Sequence, residues 1–384
     1  MKIEKRMTEK RSSGDGWAIA GAAVAIGVAA ASISLLSKKR PQFSFKNKTV
    51  LITGGSRGLG LILARHLVDK GANVAICARD EDELERAKTD LRARGSEPLA
   101  IVCDVRDKDQ CSKVVGQTLS HFGGLDVLIN NAGVIQAGPL ESQTEKDFRD
   151  AIDTHFWGPY FMTNAALESL KRSGQGRIVN ISSIGGKIAV PHLAPYCASK
   201  FALAGLSAAW RVELAKEGIT VTTVCPGLMR TGSHINAEFK GQHEKEFALF
   251  SIMDALPVSS INADRAAKQI LDACRAGKAE AIISIQAQAA ATLHAAFPEA
   301  SADLLAGVNY LLPRGNGSKE KQKGCESTSF FSPSILTANI DAESQRNNET
   351  QGRSYEQRDE SRTNGFQARE SDAGTETGTP RNRE

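Results

Sequence analysis

Net charge is nearly absent from this chain. Its 384 residues carry 48 Lys and Arg against 44 Asp and Glu, a balance of +4. So small an excess gives no basis for nucleic-acid binding. Paired metal-binding cysteines are absent too. The seven cysteines include no Cys-x-x-Cys spacing and the seven histidines are scattered, which argues against a zinc site. Cys77, Cys103 and Cys225 instead close apolar runs, where free thiols behave as small buried hydrophobes and suit a reducing compartment. No internal repeat is present, which excludes a solenoid or propeller.

Two stretches lack something specific. Trp17 to Leu36 contains no charged residue and is mostly Ala, Val, Ile, Leu and Gly. A run of roughly 20 such residues is long enough to span a bilayer. Residues 1–16 before it are basic overall, and Lys38-Lys39-Arg40 closes it. A single N-terminal membrane anchor is expected over 17–36, with a linker over 37–44. A cleaved leader ending near Ala29-Ala30-Ala31 is the second reading, disfavoured by the length of the run and its basic stop. The basic cluster after the run leans towards a cytoplasmic catalytic domain. At the other end, residues 316–384 are poor in aliphatic side chains and rich in Ser, Thr, Gln, Asn, Glu and Arg. Such a composition buries too little apolar area to offset ordering entropy, so a disordered tail is expected there.

Between these ends, residues 45–315 alternate strand and helix. Thr49-Val50-Leu51-Ile52, Asn73 to Ala78, Leu99 to Cys103, Val127 to Asn130, Arg177 to Ile181, Thr220 to Val224 and Ala281 to Ile285 read as buried strands. Helical patterns separate them, including a charged helix from Asp80 to Arg94. Apolar strands alternating with helices predict an α/β fold with a doubly wound parallel sheet of the Rossmann type. Ligands then bind at the carboxyl ends of the strands.

The first strand runs into Thr53-Gly54-Gly55-Ser56-Arg57-Gly58-Leu59-Gly60, and an amphipathic helix follows. A glycine turn between strand and helix lets backbone approach a phosphate and aims free N–H groups at it. Three further signatures come later: Asn130-Asn131-Ala132-Gly133, then Ser183 with Tyr196-Cys197-Ala198-Ser199-Lys200, then Pro226-Gly227. Tyr196 and Lys200 are four apart, hence on one face of a helix. A lysine ammonium beside a phenol lowers its pKa towards neutrality, which suits a proton donor to a nascent alkoxide.

Together these motifs resemble the classical short-chain dehydrogenase/reductase family, over about Phe43 to Pro313. The resemblance implies a nicotinamide cofactor and transfer of hydride to a carbonyl. Ser183, thirteen residues before the tyrosine, would hold the substrate oxygen, Tyr196 would donate the proton, and Lys200 would tune it and bind the cofactor. Ser182 would shape the strand end. The family's relay asparagine is replaced by His155, which either holds a relay water or packs. Thr53, Gly54, Ser56, Arg57, Gly58, Leu59, Gly60, Asn131, Ala132, Gly133, Pro226 and Gly227 would line the cofactor cleft. Asp104 would meet the adenine and Thr231 the carboxamide.

The second strand ends Cys77-Ala78-Arg79, without the acid that binds a ribose 2′-OH in members using NAD. Arg79 and Arg57 suit a 2′-phosphate, hence NADP(H). The anchor suggests a lipophilic carbonyl or alcohol, with contacts from Leu228 to Ser260. A 3-oxoacyl-carrier-protein-type reductase is the alternative, and a nucleotide-binding regulator of low turnover a third. No metal is expected, and homo-oligomerisation is left open.

Overall fold

A computed structural model describes residues 43–327 and 337–350. The charge-free run Trp17–Leu36 and its expected membrane span lie outside the described residues. Among the described residues no helix is long and apolar enough to cross a membrane.

Seven strands form one parallel sheet: β1 Thr49–Thr53, β2 Asn73–Ala78, β3 Leu99–Val102, β4 Val127–Asn130, β5 Arg177–Ile181, β6 Thr220–Pro226 and β7 Glu280–Ile283. Their spatial order is β7-β6-β5-β4-β1-β2-β3. The order reverses between β1 and β4, which pair in parallel with Val50 beside Val127. A crevice opens outside the carboxyl ends of strands at such a reversal.

Helices α1 Gly58–Asp69, α2 Glu81–Ala93, α3 Lys108–Phe122, α4 Glu145–Ile152, α5 Gly158–Arg172, α6 Ala194–Glu213, α7 His243–Ala255 and α8 Ala263–Ala276 follow in turn. Val50, Leu51 and Ile52 of β1 and Val127, Leu128 and Ile129 of β4 have no exposed surface. That burial on both faces explains why these strands read as continuous apolar runs. Met162, Ala166 and Leu170 of α5 pack with Val114 and Val115 of α3 against Leu128 and Ile178. The expected charged helix is capped as its sequence implies, Asp80 accepting from the Glu83 N–H at 2.8 Å. The last strand is shorter than expected, because Ser284 leaves the sheet to cap α9 Ile285–Ala296. A second helix, α10 Pro298–Asn309, follows it.

The C-terminal region departs from expectation. Gln322–Lys323 adds a strand to Glu238–Phe239, which pairs in turn with Gln136–Ala137. Beyond it α11, Ala338–Arg346, packs its fully buried Ile340 and Ser344 onto the domain. The expectation of disorder is therefore corrected for residues 316–327 and 337–350. Few aliphatic contacts hold this segment. Hydrogen bonds to a surface already built by the domain do so, and a count of apolar residues cannot register them. The rest of the expected tail lies outside the described residues.

Candidate active site

The glycine loop is shaped by close backbone approach. Gly54 has φ +63°, and a Cβ there would lie 2.8 Å from Ala132 Cα. Thr53 and Asn131 tie the loop to the end of β4. The Thr53 hydroxyl accepts from the Asn131 and Ala132 N–H groups at 2.9 and 3.0 Å. Asn131 Nδ2 donates back to the carbonyls of Thr53 and Gly54, both at 3.0 Å. These bonds explain why Asn-Asn-Ala-Gly accompanies the glycine loop in sequence. The first asparagine works deeper: Asn130 Nδ2 donates to Asn180 Oδ1 at 2.8 Å and fastens β4 to β5.

A cavity of about 620 Å³ opens in the crevice. Gly54, Ser56, Arg57, Gly58, Leu59 and Gly60 line one end, with Arg79 and Asp104. Asn131, Ala132 and Gly133 form its middle. Ser183, Tyr196, Lys200, Pro226, Gly227 and Thr231 close the other end, beside His155. The fold thus brings every expected site residue except Thr53 to the lining, and Thr53 stands directly behind it. The exposed Arg79 makes no hydrogen bond or ion pair among the described residues, so its guanidinium is open to an anion. Asp104 is paired instead, its carboxylate accepting from Arg106 Nη2 at 2.6 Å. Partial burial would raise its pKa, but the Arg106 bonds hold it below the usual carboxylate range.

Tyr196 and Lys200 sit on the first turns of α6, entered through Pro195, which suits a first helical turn. Lys200 Nζ lies 5.6 Å from the centre of the Tyr196 ring and donates to the Ile181 carbonyl at 2.9 Å. Burial pushes the lysine down to about 7. Burial also pushes the phenol up to about 12, opposed by a hydrogen bond with the Ser183 hydroxyl. At neutral pH Tyr196 therefore holds its proton and Lys200 stands near its midpoint. Ser182 takes the structural part expected of it: its hydroxyl donates to the Lys200 carbonyl at 2.9 Å.

His155 does not lie on a regular helix. It sits in a π-helical turn, Asp153–Trp157, between α4 and α5, and is 1 % exposed. Nε2 accepts from the Val134 N–H at 3.0 Å, which leaves the ring proton on Nδ1, 2.7 Å from Ser199 Oγ. Burial, then the charge of Lys200, hold its pKa well below the ordinary value. Both nitrogens are thus engaged within the protein, and neither is open to the relay water considered from the sequence. The imidazole packs edge-on against Tyr196, ring centres 5.6 Å apart. The geometry makes it a positioning residue for the tyrosine and for the Gly133–Val134 turn.

Two acids belong to this site that the sequence did not disclose. Glu83 accepts from the Ser56 hydroxyl at 3.0 Å and lies 3.5 Å from Arg57 Nη1. Its place in the first turn of a charged helix gives no sign of this longer reach. Glu349 comes from beyond α11 and also lines the cavity.

Residues 48–240 match the family model for short chain dehydrogenase. The 3-oxoacyl-(acyl-carrier-protein) reductase of Staphylococcus aureus is 36 % identical over 183 residues, 47 % of this chain and 74 % of its own. A short-chain dehydrogenase from Streptomyces avermitilis superposes with TM-score 0.60 at 30 % identity, over 70 % of this chain and 99 % of its own. A variant of the actinorhodin polyketide ketoreductase, solved with NADPH, superposes with TM-score 0.55 at 32 % identity, over 62 % and 95 %. The chain belongs to the short-chain dehydrogenase family. It is an oxidoreductase of that family, a class that binds a nicotinamide cofactor and acts on C=O and CH–OH groups.

Proposed function

We propose that this protein is a membrane-anchored, NADP(H)-dependent reductase of a lipophilic carbonyl compound. The observation that carries the chemistry is the convergence of Ser183, Tyr196 and Lys200 on one end of the cavity that begins at the glycine loop. The cavity is long enough in lining for a dinucleotide, with close-approach glycines at one end and a proton donor at the other. The cofactor, when bound, supplies the hydride. Ser183 holds the substrate oxygen by a hydrogen bond. Tyr196 releases its proton to that oxygen as negative charge develops there. The Lys200 ammonium stabilises the phenolate left behind. Met229, Ser233, Asn236 and Ala237, within the expected substrate stretch Leu228–Ser260, also line the cavity.

NADP(H) is supported by Arg79, open at the end of β2, by Arg57 in the loop, and by the lack of an acid at Arg79's position. NADPH oxidation across ketones, aldehydes and 3-oxoacyl thioesters tests the activity. Arg79→Asp should shift preference towards NADH by about one to two orders of magnitude, the size expected for losing one charge-assisted phosphate contact of about 1.5–3 kcal/mol. Equal or tighter NADH binding by the native chain would refute the cofactor assignment. A 3-oxoacyl thioester is the second reading of the substrate, favoured by the ketoacyl-type reductase among the relatives above.

The anchor is supported by the charge-free run Trp17–Leu36. It implies a single-pass protein with its catalytic domain on the cytoplasmic side. Alkaline carbonate extraction of the full chain should leave it in the membrane pellet. Recovery in the supernatant, or a mature N-terminus near Ala31, would remove the anchor and with it the case for a lipophilic substrate.

A further inference from the structure

The segment after α11 is seated on the glycine loop by specific polar contacts. Its Asn347 carbonyl accepts from the Gly58 N–H at 2.9 Å, at the very start of α1. Asn348, with φ +60°, donates to the carbonyls of Ser56 and Glu83 at 2.8 and 2.9 Å. Arg65 and Arg86 hold the same two asparagines through their side-chain oxygens, at 3.0 and 2.7 Å. The next residue, Glu349, is 2 % exposed. One carboxylate oxygen accepts from Asn236 Nδ2 at 2.6 Å and lies 3.5 Å from Arg57 Nη1. The other is 2.5 Å from where a Cβ on Gly58 would stand. Arg57 is therefore shared between two carboxylates, Glu83 and Glu349, each at 3.5 Å.

We propose that Glu349 is a cofactor-selecting residue, which takes from Arg57 the ion pair that a nucleotide 2′-phosphate would make. This inference rests on the NADP(H) reading. Arg57 carries one positive charge and already faces two carboxylates, so a phosphate dianion must compete with both for it. Glu349 is the removable member of the trio. Glu83 is part of α2, whereas Glu349 is carried by a segment joined to the domain mainly by hydrogen bonds. A 2′-phosphorylated dinucleotide must displace the carboxylate to reach Arg57. A dinucleotide with a free 2′-OH has no such competitor, since a carboxylate can accept from that hydroxyl. Displacement is reciprocal: if Glu349 weakens the phosphorylated cofactor, that cofactor loosens the segment by the same factor.

The test is titration of the full chain with NADPH and with NADH, followed by nicotinamide fluorescence. Glu349→Gln keeps the shape and an acceptor for Asn236 but drops the charge. It should tighten NADPH about tenfold, a modest coupling of the usual size, and leave NADH within twofold. Asn348→Ala, which loosens the segment and leaves the carboxylate chemistry intact, should move the ratio the same way. Amide exchange across residues 338–346 should rise with NADPH and stay unchanged with NADH. An NADPH-to-NADH ratio unmoved by Glu349→Gln, or NADPH weakened by it, would overturn the role of Glu349 and make the segment a part of the cofactor's seat. If the native chain prefers NADH and the ratio still moves, the cofactor reading fails and the role of Glu349 stands.

Discussion

Tyr196→Phe should lower carbonyl reduction by about 10² or more, the usual contribution of a positioned acid–base group. The change removes a single hydroxyl and keeps the ring that His155 and Gly185 pack against. A Cβ on Gly185 would lie 3.1 Å from the tyrosine ring, so this wall is already close-fitting and phenylalanine preserves it. Cofactor affinity should change little, because the glycine loop, Arg57 and Arg79 stand at the opposite end of the cavity. With its pKa near 12, Tyr196 is protonated across the working range, so the variant loses a donor that is present at every pH assayed. The fall should therefore appear in kcat at every pH from 6 to 9, with thermal stability nearly unaltered. A fully active Tyr196→Phe enzyme on a true substrate would mean that another group donates the proton, and the mechanism would have to be given up.

Much of this site is legible in the sequence because its parts are local. A glycine turn between a β-branched run and an amphipathic helix, and a Tyr and Lys one helical turn apart, are patterns of spacing. The strand order then brings these local pieces to one crevice, but burial there holds the Tyr196 phenol up at about 12, against the lowering towards neutrality expected from Lys200. What spacing could not express lies in three places. His155 is expected either to hold a relay water or to pack, and the π-turn Asp153–Trp157 inserts an extra residue that fixes where its ring points. Hydrophobic period alone does not show such a turn, and so did not show that Val134 and Ser199 occupy both nitrogens. Glu83 is bonded to Ser56 across 27 residues, a separation that no local pattern expresses. Glu349 lies in a stretch whose composition argues for disorder. Its order comes from Ile340, from Ser344 donating to the Gly232 carbonyl at 3.2 Å, and from Asn347 and Asn348 reaching main-chain carbonyls. These contacts exist only once the domain has folded, so no window of sequence contains them. The physical lesson concerns reference states. A polar segment cannot build its own core, yet it can still order on a ready-made surface whose main-chain carbonyls accept its side-chain hydrogen bonds.

Lys200→Met should abolish most activity and weaken cofactor binding while leaving the protein at least as stable at pH 6 to 7. The lysine is 4 % exposed and its pKa is driven by burial from 10.5 down to about 7. Below pH 7 both the folded and unfolded chains carry the charge, and the folded state bears the full cost of burying it. Between pH 7 and 10.5 the unfolded chain binds more protons than the folded one, so stability rises with pH across that window. A buried methionine of similar length carries no such charge, and its loss of the bond to the Ile181 carbonyl is a pH-independent cost smaller than that of burying the ammonium. The variant should therefore exceed the native protein in Tm at pH 6.5, and the gap should close as pH approaches 10. Activity should follow the opposite course. The phenolate left on Tyr196 needs a cation beside it, so native kcat/KM for reduction should fall as pH rises through about 7, with Lys200 losing its proton. In Lys200→Met the profile should be low and flat from pH 6 to 9. A structural lysine would give neither signature, since its loss would lower Tm at every pH and leave the descending limb in place. If the limb near pH 7 survives in Lys200→Met, another group sets it, and Lys200 does not supply the charge that Tyr196 requires.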